Sequence, residues 1–534
     1  MRRWTVTADG LTRRKFLGAS ALASFALGLG AAGCRTLSGT TGRATSRFVH
    51  GVASGDPLED RVILWTRVEP EASDGEVAVR WTIARDPALS DEVAHGATTA
   101  DAAGDFTVKV DAQGLEPGNS YSYAFAVRGE RSPIGRTRTL PDHRVERVRL
   151  AACSCANYAH GYYNTYAAMA RRADLDAVLH LGDYIYEYGR EGYGASALGR
   201  DVEPAHEIVS LDDYRARYSF YRRDPDLQEL HRQHPTIAVW DDHESANDSW
   251  HGGAQNHDPA TEGDWREWLP VRMTQTQADF DDDPRGWRGF RFGRLADLAI
   301  LDTRLAARDS QVSPEDLRGL DAPDRTLLGA EQERWLFERL AAAQADDVAW
   351  CLVGQQIVFA PWARPPRPPN VDGWDGYPAA RQRVLDALER GRIRDVVILS
   401  GDVHSSWALD VPRDPFGHGY DPRTGRGSLA VEFVAPAIAS SPLASVPSAD
   451  ERFRRSREEL PHLRWFDLEK HGYVVLDVTP EAVQADWWFV DTVTERHAGE
   501  SRAAGFRVRR GTNHLEYAAA PRPDRPGAPP LAPA

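Results

Sequence analysis

The chain has 534 residues, and 64 Lys and Arg against 79 Asp and Glu give a net charge of −15. That balance argues against general nucleic-acid binding and against adhesion to anionic lipid through bulk charge. With 42% hydrophobic and 27% charged residues, the composition is that of a globular chain, long enough for roughly two to four domains, and four cysteines exclude a disulfide-dense scaffold.

At the N-terminus, Arg2, Arg3, Arg13, Arg14 and Lys15 precede an uncharged stretch from Phe16 to Cys34 built mostly of Ala, Gly, Leu and Ser. A basic start, an apolar centre and small residues at the end describe a signal peptide. Thr12-Arg13-Arg14-Lys15-Phe16-Leu17 resembles the twin-arginine export signal. Residues 1–34 are therefore expected to be read by the twin-arginine export machinery, placing the protein in the periplasm, outside the cell or on the cell envelope. Ala31-Ala32-Gly33-Cys34 also resembles a lipoprotein processing site, with Ala31 where a larger aliphatic residue is usual; cleavage there would make Cys34 a lipid anchor.

Residues 47–140 read as short strands separated by turns. Val62–Trp65, Val77–Trp81, Phe106–Val110 and Tyr121–Phe125 are rich in β-branched and aromatic residues, and Gly114-Leu115-Glu116-Pro117-Gly118 is a turn signal. A small all-β sandwich is expected. From residue 146 to about 515 the rhythm changes. The strands Val148–Ala152, Ala177–Leu181, Thr236–Trp240, Val348–Val353 and Val396–Ser400 alternate with helical stretches at Tyr163–Arg172, Asp212–Arg232, Glu331–Gln344 and Arg381–Arg390. Later runs (Ala430–Val434, Tyr473–Val478, Val483–Val490) lack intervening helices. The expected fold is therefore an α/β (α+β) layered domain with mixed β-sheets flanked by helices. Residues 518–534 are dominated by Ala and Pro and are expected to be a disordered tail.

Chemistry-bearing residues gather at the carboxyl ends of the strands, where open α/β sheets place their ligands. Val148–Ala152 runs into Cys153-Ser154-Cys155-Ala156-Asn157, and Ala177–Leu181 into Gly182-Asp183-Tyr184-Ile185-Tyr186. Thr236–Trp240 runs into Asp241-Asp242-His243-Glu244, and Val396–Ser400 into Gly401-Asp402-Val403-His404. Each motif alone has a bland reading: a capped turn for Gly182-Asp183, a solvated acidic loop for Asp241–Glu244. Two adjacent carboxylates after a buried strand repel each other unless a cation lies between them. Four such strand ends together point to a metal centre. Cys153 or Cys155 could instead pair with Cys351, although Cys351 lies in an apolar strand and reads as a buried thiol.

Gly182-Asp183-x-x-Tyr186 resembles the motif of purple acid phosphatases and the wider calcineurin-like metallophosphoesterases. Asp242-His243-Glu244 and Gly401-Asp402-Val403-His404 depart from that superfamily's usual Asn-His-Glu/Asp and Gly-His-x-His. These departures, with Ser154-Cys155, His180–Tyr188 and Trp240–Glu244, resemble the PhoD-type alkaline phosphatases. The resemblance implies Fe³⁺ with Ca²⁺ beside it: Cys155, Tyr186 and His404 on iron, Asp183 bridging, and Asp242 and Asp402 supplying hard oxygens to calcium. Asp241, Asn157 and Asn247 are further calcium candidates. His243 is implied as the catalytic group that protonates the leaving oxygen, with Glu244 orienting its ring. The implied reaction is hydrolysis of phosphomonoesters, and of diesters, by a metal-activated oxygen nucleophile, releasing inorganic phosphate. A phosphodiesterase or phospholipase D-type hydrolase on the same scaffold is the alternative, and a Ca²⁺-dependent surface binding protein a distant one. Arg304 is a candidate phosphate ligand with a surface salt bridge as its plain reading. Trp362, Trp374 and Tyr377, in the irregular stretch Pro361–Pro378, are expected to form a lid.

Overall fold

The computed structural model describes residues 46–143, 145–255, 265–272, 285–364, 369–446 and 459–533. The expected signal segment and Cys34 lie outside these residues. Among the described residues no helix is long and apolar enough to cross a membrane.

Two mixed sheets form the centre. In the first, Val148–Cys153, Ala177–His180 and Thr236–Ala238 run parallel, with Ala177 opposite Leu150 and Val178 opposite Thr236. Gly472–Val478 pairs antiparallel with Val148–Cys153, and Ala482–Val490, Glu500–Arg509 and Leu515–Tyr517 extend that edge. In the second sheet Ala296–Ile300, Trp350–Gly354, Val396–Ser400 and Ser428–Val434 are parallel, with antiparallel neighbours at both edges. The parallel strands are buried along their length, hence their continuous apolar runs.

The sheets pack face to face. Leu150, Leu179 and Ile237 of the first meet Leu298, Leu352 and Leu399 of the second in one core. The helices Asn164–Ala170, Leu211–Tyr221 and Pro225–Gln233 cover the outer face of the first sheet through Met169, Tyr218 and Leu230. Gly329–Ala345 and Pro378–Arg390 cover the second through Leu336, Leu340, Val384 and Leu388. The layers run helix, sheet, sheet, helix, as the alternating pattern predicts. One detail differs: the helix expected over Asp212–Arg232 is two helices. Pro225 starts the second, and Asp224 caps it by accepting hydrogen bonds from the N–H groups of Asp226 and Leu227.

The N-terminal module is β throughout but does not stand alone. Its outer layer is a five-stranded sheet containing Glu76–Ala84, Glu92–Asp101 and Ser120–Val127. Its inner layer, Val52–Gly55, Arg61–Arg67 and Thr107–Gln113, is the far end of the first large sheet, which thereby reaches ten strands. Gly55 pairs in parallel with Thr236, and a Cβ there would stand 2.4 Å from the Thr236 carbonyl oxygen. Only glycine permits this approach. Val62, Leu64, Ile83, Tyr123 and Phe125 fill the space between the layers.

The C-terminal stretch differs from the expected disordered tail. Its described residues, 518–533, form no regular element but lie against the body. The Arg525 N–H donates to Asp174 Oδ2 at 2.7 Å, and its guanidinium pairs with Asp176. Ala532 exchanges two hydrogen bonds with the Gln233 side-chain amide, at 2.8 and 3.2 Å. A Pro/Ala-rich segment cannot build a core of its own, but the polar groups of its backbone can be satisfied by side chains the body provides.

Candidate metal centre

All four expected strand-end motifs converge on one edge. Ligand atoms of Cys155, Asp183 and His404 lie within 4.8 Å of one another, as do those of Asp183, Asp242 and His243 and those of Asp241, Asp242 and Asp402. Asp183 belongs to the first two groups and Asp242 to the last two, so the three groups form one chain of donors.

The backbone is forced to make this convergence. Cys155 (φ 63°), Asp183 (55°), Asp248 (54°), Asp402 (65°) and His404 (48°) are all left-handed, a conformation costing about 1–3 kcal/mol for a residue with a side chain and concentrated at functional sites. Gly182 stands at φ 109°, and a Cβ there would lie 2.4 Å from Asp241 Cβ. This close approach brings the Asp183 and Asp241 turns together.

At the thiol end, the Tyr186 hydroxyl donates to Asp183 Oδ2 at 2.9 Å and accepts from Ser440 Oγ at 2.7 Å. His404 Nε2 lies 3.1 Å from the same phenol oxygen. The His404 Nδ1–H donates to the Ser441 carbonyl at 2.8 Å, which turns the Nε2 lone pair toward the cluster. Burial keeps this imidazole neutral, pushing its pKa to about 3. Cys153, Cys155 and Cys351 are buried free thiols, so the disulfide alternatives do not hold among them.

Burial raises the Cys155 thiol, the Tyr186 phenol and the Asp183 carboxyl well above their usual ranges; Asp183 adds to the rise at the thiol and the phenol, and at Asp183 itself the pull of His243 is opposed by Asp241, Asp242 and Glu244. Asp402 is raised by burial and by Asp241. Asp241 is pushed up to about 7 by burial, against the pull of Arg304. Asp241 Oδ2 and Asp242 Oδ1 are buried without a hydrogen-bond donor. A thiol, a phenol, an imidazole and several carboxyls that resist ionisation together, with two orphaned carboxylate oxygens, fit multivalent cations. Asp402 and His404 are half-buried, so the cluster opens to solvent on their side.

His243 lies across Asp183 and Asp242. Its ring stacks on Tyr186 at 4.2 Å between centroids and 29° between planes. Its Nδ1 is 2.8 Å from Glu187 Oε2. Burial opposes the charged ring, but Asp242, Glu187 and Asp183 outweigh it and raise the pKa well above the ordinary histidine value. Glu187, and not the expected Glu244, orients the imidazole. Glu244 instead accepts from the N–H groups of Asp183 (3.0 Å), Tyr184 and Asp241 (2.7 Å), tying the two acidic turns together.

Arg304 is fully buried. It pairs with Asp241 at 2.5 Å, Asp372 at 2.8 Å and Asp402 at 3.1 Å, so neither a surface salt bridge nor a free phosphate ligand describes it. Its role in this arrangement is to hold three carboxylates in place. Arg308 pairs with the same Asp372 at 2.6 Å. In the described part of the stretch expected as a lid, Trp374 and Tyr377 are buried, and the Trp374 ring lies tilted against Phe359 at 4.8 Å between centroids. Its contribution to the centre is Asp372, which no motif marks. Of the further calcium candidates, Asp241 lies in the cluster. The Asn157 side chain caps Tyr158–His160, and Asn247 Oδ1 accepts from the Tyr188 hydroxyl at 3.2 Å.

A donor chain of this kind at the carboxyl edge of two packed mixed sheets is suited to a metal-assisted hydrolase. The comparisons with known proteins narrow the class. The PhoD-like phosphatase family matches residues 150–487, and the N-terminal domain of PhoD-like phosphatases matches residues 34–141. Alkaline phosphatase D of Bacillus subtilis (strain 168) is 36% identical over 525 residues, covering 92% of this chain and 87% of that protein. A solved structure of PhoD is similar with a TM-score of 0.79 and 34% identity, over 90% of this chain and 93% of that one. The chain belongs to the PhoD-like phosphatase family and is a phosphoric ester hydrolase.

Proposed function

We propose that this protein is an exported alkaline phosphatase that hydrolyses phosphomonoesters, and phosphodiesters as well, at a centre of Fe³⁺ and Ca²⁺. The observation that carries the reading is the double membership of Asp183, shared between a group with Cys155 and His404 and a group with Asp242 and His243. Cys155, Tyr186 and His404 offer the anionic and imidazole donors that suit Fe³⁺, and Asp242 and Asp402 the hard oxygens that suit Ca²⁺, with Asp183 between them. When bound, such ions supply Lewis-acid activation of the attacking oxygen and neutralise charge on the phosphoryl group.

The protein's own groups do the rest. His243 keeps Nδ1 on Glu187, which leaves Nε2 to hold the proton that passes to the leaving oxygen. Stacking on Tyr186 fixes the plane of that ring. Arg304 offsets the repulsion between Asp241 and Asp402 by pairing with both, and so holds them within one group of donors. The basic N-terminal segment supports export by the twin-arginine route, and Cys34 supports a lipid anchor. The Ca²⁺-dependent binding-protein reading falls with membership in a hydrolase family.

The test is hydrolysis of a nitrophenyl phosphomonoester and the corresponding diester, side by side, by protein shown to contain iron. Release from the monoester at a comparable or faster rate supports the phosphatase. Turnover confined to the diester replaces it with the phosphodiesterase reading.

A further inference from the structure

Ser440 is fully buried in the segment that follows the strand Ser428–Val434, a stretch no motif marks. The segment runs beside the Cys155 turn: Ala437 bridges in parallel to Ser154, and the Ile438 N–H donates to the Ser154 carbonyl at 2.9 Å. Two histidines hold its far end. His471 Nε2–H donates to the Ser440 carbonyl at 2.8 Å. His160 Nε2–H donates to the Tyr193 carbonyl at 2.7 Å, which leaves His160 Nδ1 to accept from the Ser441 hydroxyl at 3.0 Å. Ser441 in turn presents its carbonyl to His404 Nδ1.

So anchored, the Ser440 side chain has few choices. Its Oγ accepts from the Asn157 N–H at 3.1 Å. Two acceptors stand within reach of its one proton: the Tyr186 oxygen at 2.7 Å and the Cys155 carbonyl at 2.9 Å. That carbonyl already receives the N–H groups of Ser440 at 3.2 Å and Ala439 at 3.3 Å. While Tyr186 keeps its own proton it donates to Asp183, and its oxygen is an ordinary acceptor. As a phenolate it is the better acceptor of the two, because a hydrogen bond to an ionised group is roughly twice as strong as one between neutral groups. Burial raises the Tyr186 phenol, and the Ser440 contact works against that rise.

We propose that Ser440 is a positioning residue of the metal centre, donating its hydroxyl proton to the Tyr186 phenolate and so setting how strongly that oxygen donates to iron. The proposal rests on the reading of Tyr186 as an iron ligand. The hydrogen bond draws charge from the phenolate and fixes the direction of the lone pair left for the metal. A phenolate weakened in this way leaves more positive charge on the cation, which favours activation of an attacking oxygen.

Absorption and resonance Raman spectra of the iron-loaded full chain test this apart from turnover. Deleting the donor raises the energy of the phenolate electrons. Ser440→Ala is therefore expected to keep its iron and to move the phenolate-to-iron charge-transfer band to longer wavelength. Ser440→Thr keeps the hydroxyl and is expected to leave the band where the unaltered protein has it. A band unmoved in Ser440→Ala, a band moved equally by Ser440→Thr, or iron lost with the hydroxyl would overturn the role of Ser440 and leave the iron reading standing. Unaltered protein that contains iron but shows no tyrosinate vibrations would overturn ligation by Tyr186, and the role of Ser440 with it.

Discussion

Cys155 combines three features that rarely coincide: a left-handed backbone, complete burial and a thiol whose pKa burial and Asp183 drive upward. Only a cation beside it makes the thiolate favourable there. Cys155→Ala is expected to abolish iron binding while the chain stays folded; iron at full occupancy by elemental analysis would rule this ligand out. The paired change His243→Asn and Glu187→Gln separates chemistry from orientation. The first is expected to lower kcat about 10²- to 10⁴-fold, and the second on the order of 10- to 100-fold, the size usual for losing a group that orients an imidazole. Glu244→Gln should act differently, by loosening the turns of Asp183 and Asp241 and so lowering metal content. If Glu244→Gln left metal content intact and Glu187→Gln left kcat unchanged, the observed pairing would be wrong. The ligand candidates were legible in the sequence because they follow strands directly, where spacing fixes position. The exchange of Glu244 for Glu187 was not: both sit next to the motifs, and only the fold of the two loops decides which carboxylate reaches His243 Nδ1.

At the scale of elements, the site depends on turns more than on strands. The strands were readable as apolar runs, but the turn that places Asp183 against Asp241 rests on Gly182. Gly182→Ala would put a methyl 2.4 Å from Asp241 Cβ at a backbone angle alanine rarely adopts. The expected result is a stability loss of about 1–3 kcal/mol together with lost metal, read from denaturant melts and metal analysis. A variant with wild-type stability and metal content would show that the turns can relax. Pro361–Pro378 marks the limit of sequence reading in the other direction. Irregular, proline-rich composition suggests a mobile cover, yet Trp374 and Tyr377 pack inward and Asp372 reaches Arg304 and Arg308. Long-range ion pairs leave no periodic trace in a sequence. Arg304 was visible only as an arginine after a strand, with nothing to show that four aspartates surround it.

At the scale of the whole molecule, many histidines are locked away neutral. Burial pushes His180 and His234 to about 3 and His462 to about 4. The unfolded chain binds these protons near pH 6.5 and the folded chain does not, so the stability they contribute is complete above that pH. It is lost as pH falls toward 4, at about 1.4 kcal/mol per pH unit for each group. In the folded protein the rings of His180 and His234 are expected to stay neutral down to about pH 4.5, followed by NMR; a ring that takes up its proton near pH 6.5 without unfolding would contradict neutral burial. The outline of the molecule, a β module followed by layered sheets and helices, was legible from strand and helix periodicity. The extent of the first sheet was not, because pairing between residues as distant as Gly55 and Thr236 has no local signature. The same holds for the C-terminal segment, whose composition says nothing of the side chains waiting for it at Asp174, Asp176 and Gln233.

Val52–Gly55 lies between Thr236–Ala238 and Arg61–Arg67, so one strand serves two modules at once. Recombination that exchanged the front of this gene for an unrelated β module would expose the edge of Thr236–Ala238, the strand whose continuation carries Asp241 and Asp242. An exposed edge invites pairing with other chains. The front module is therefore inherited as part of the enzyme and not as a transferable cassette, and the two should diversify together along a lineage.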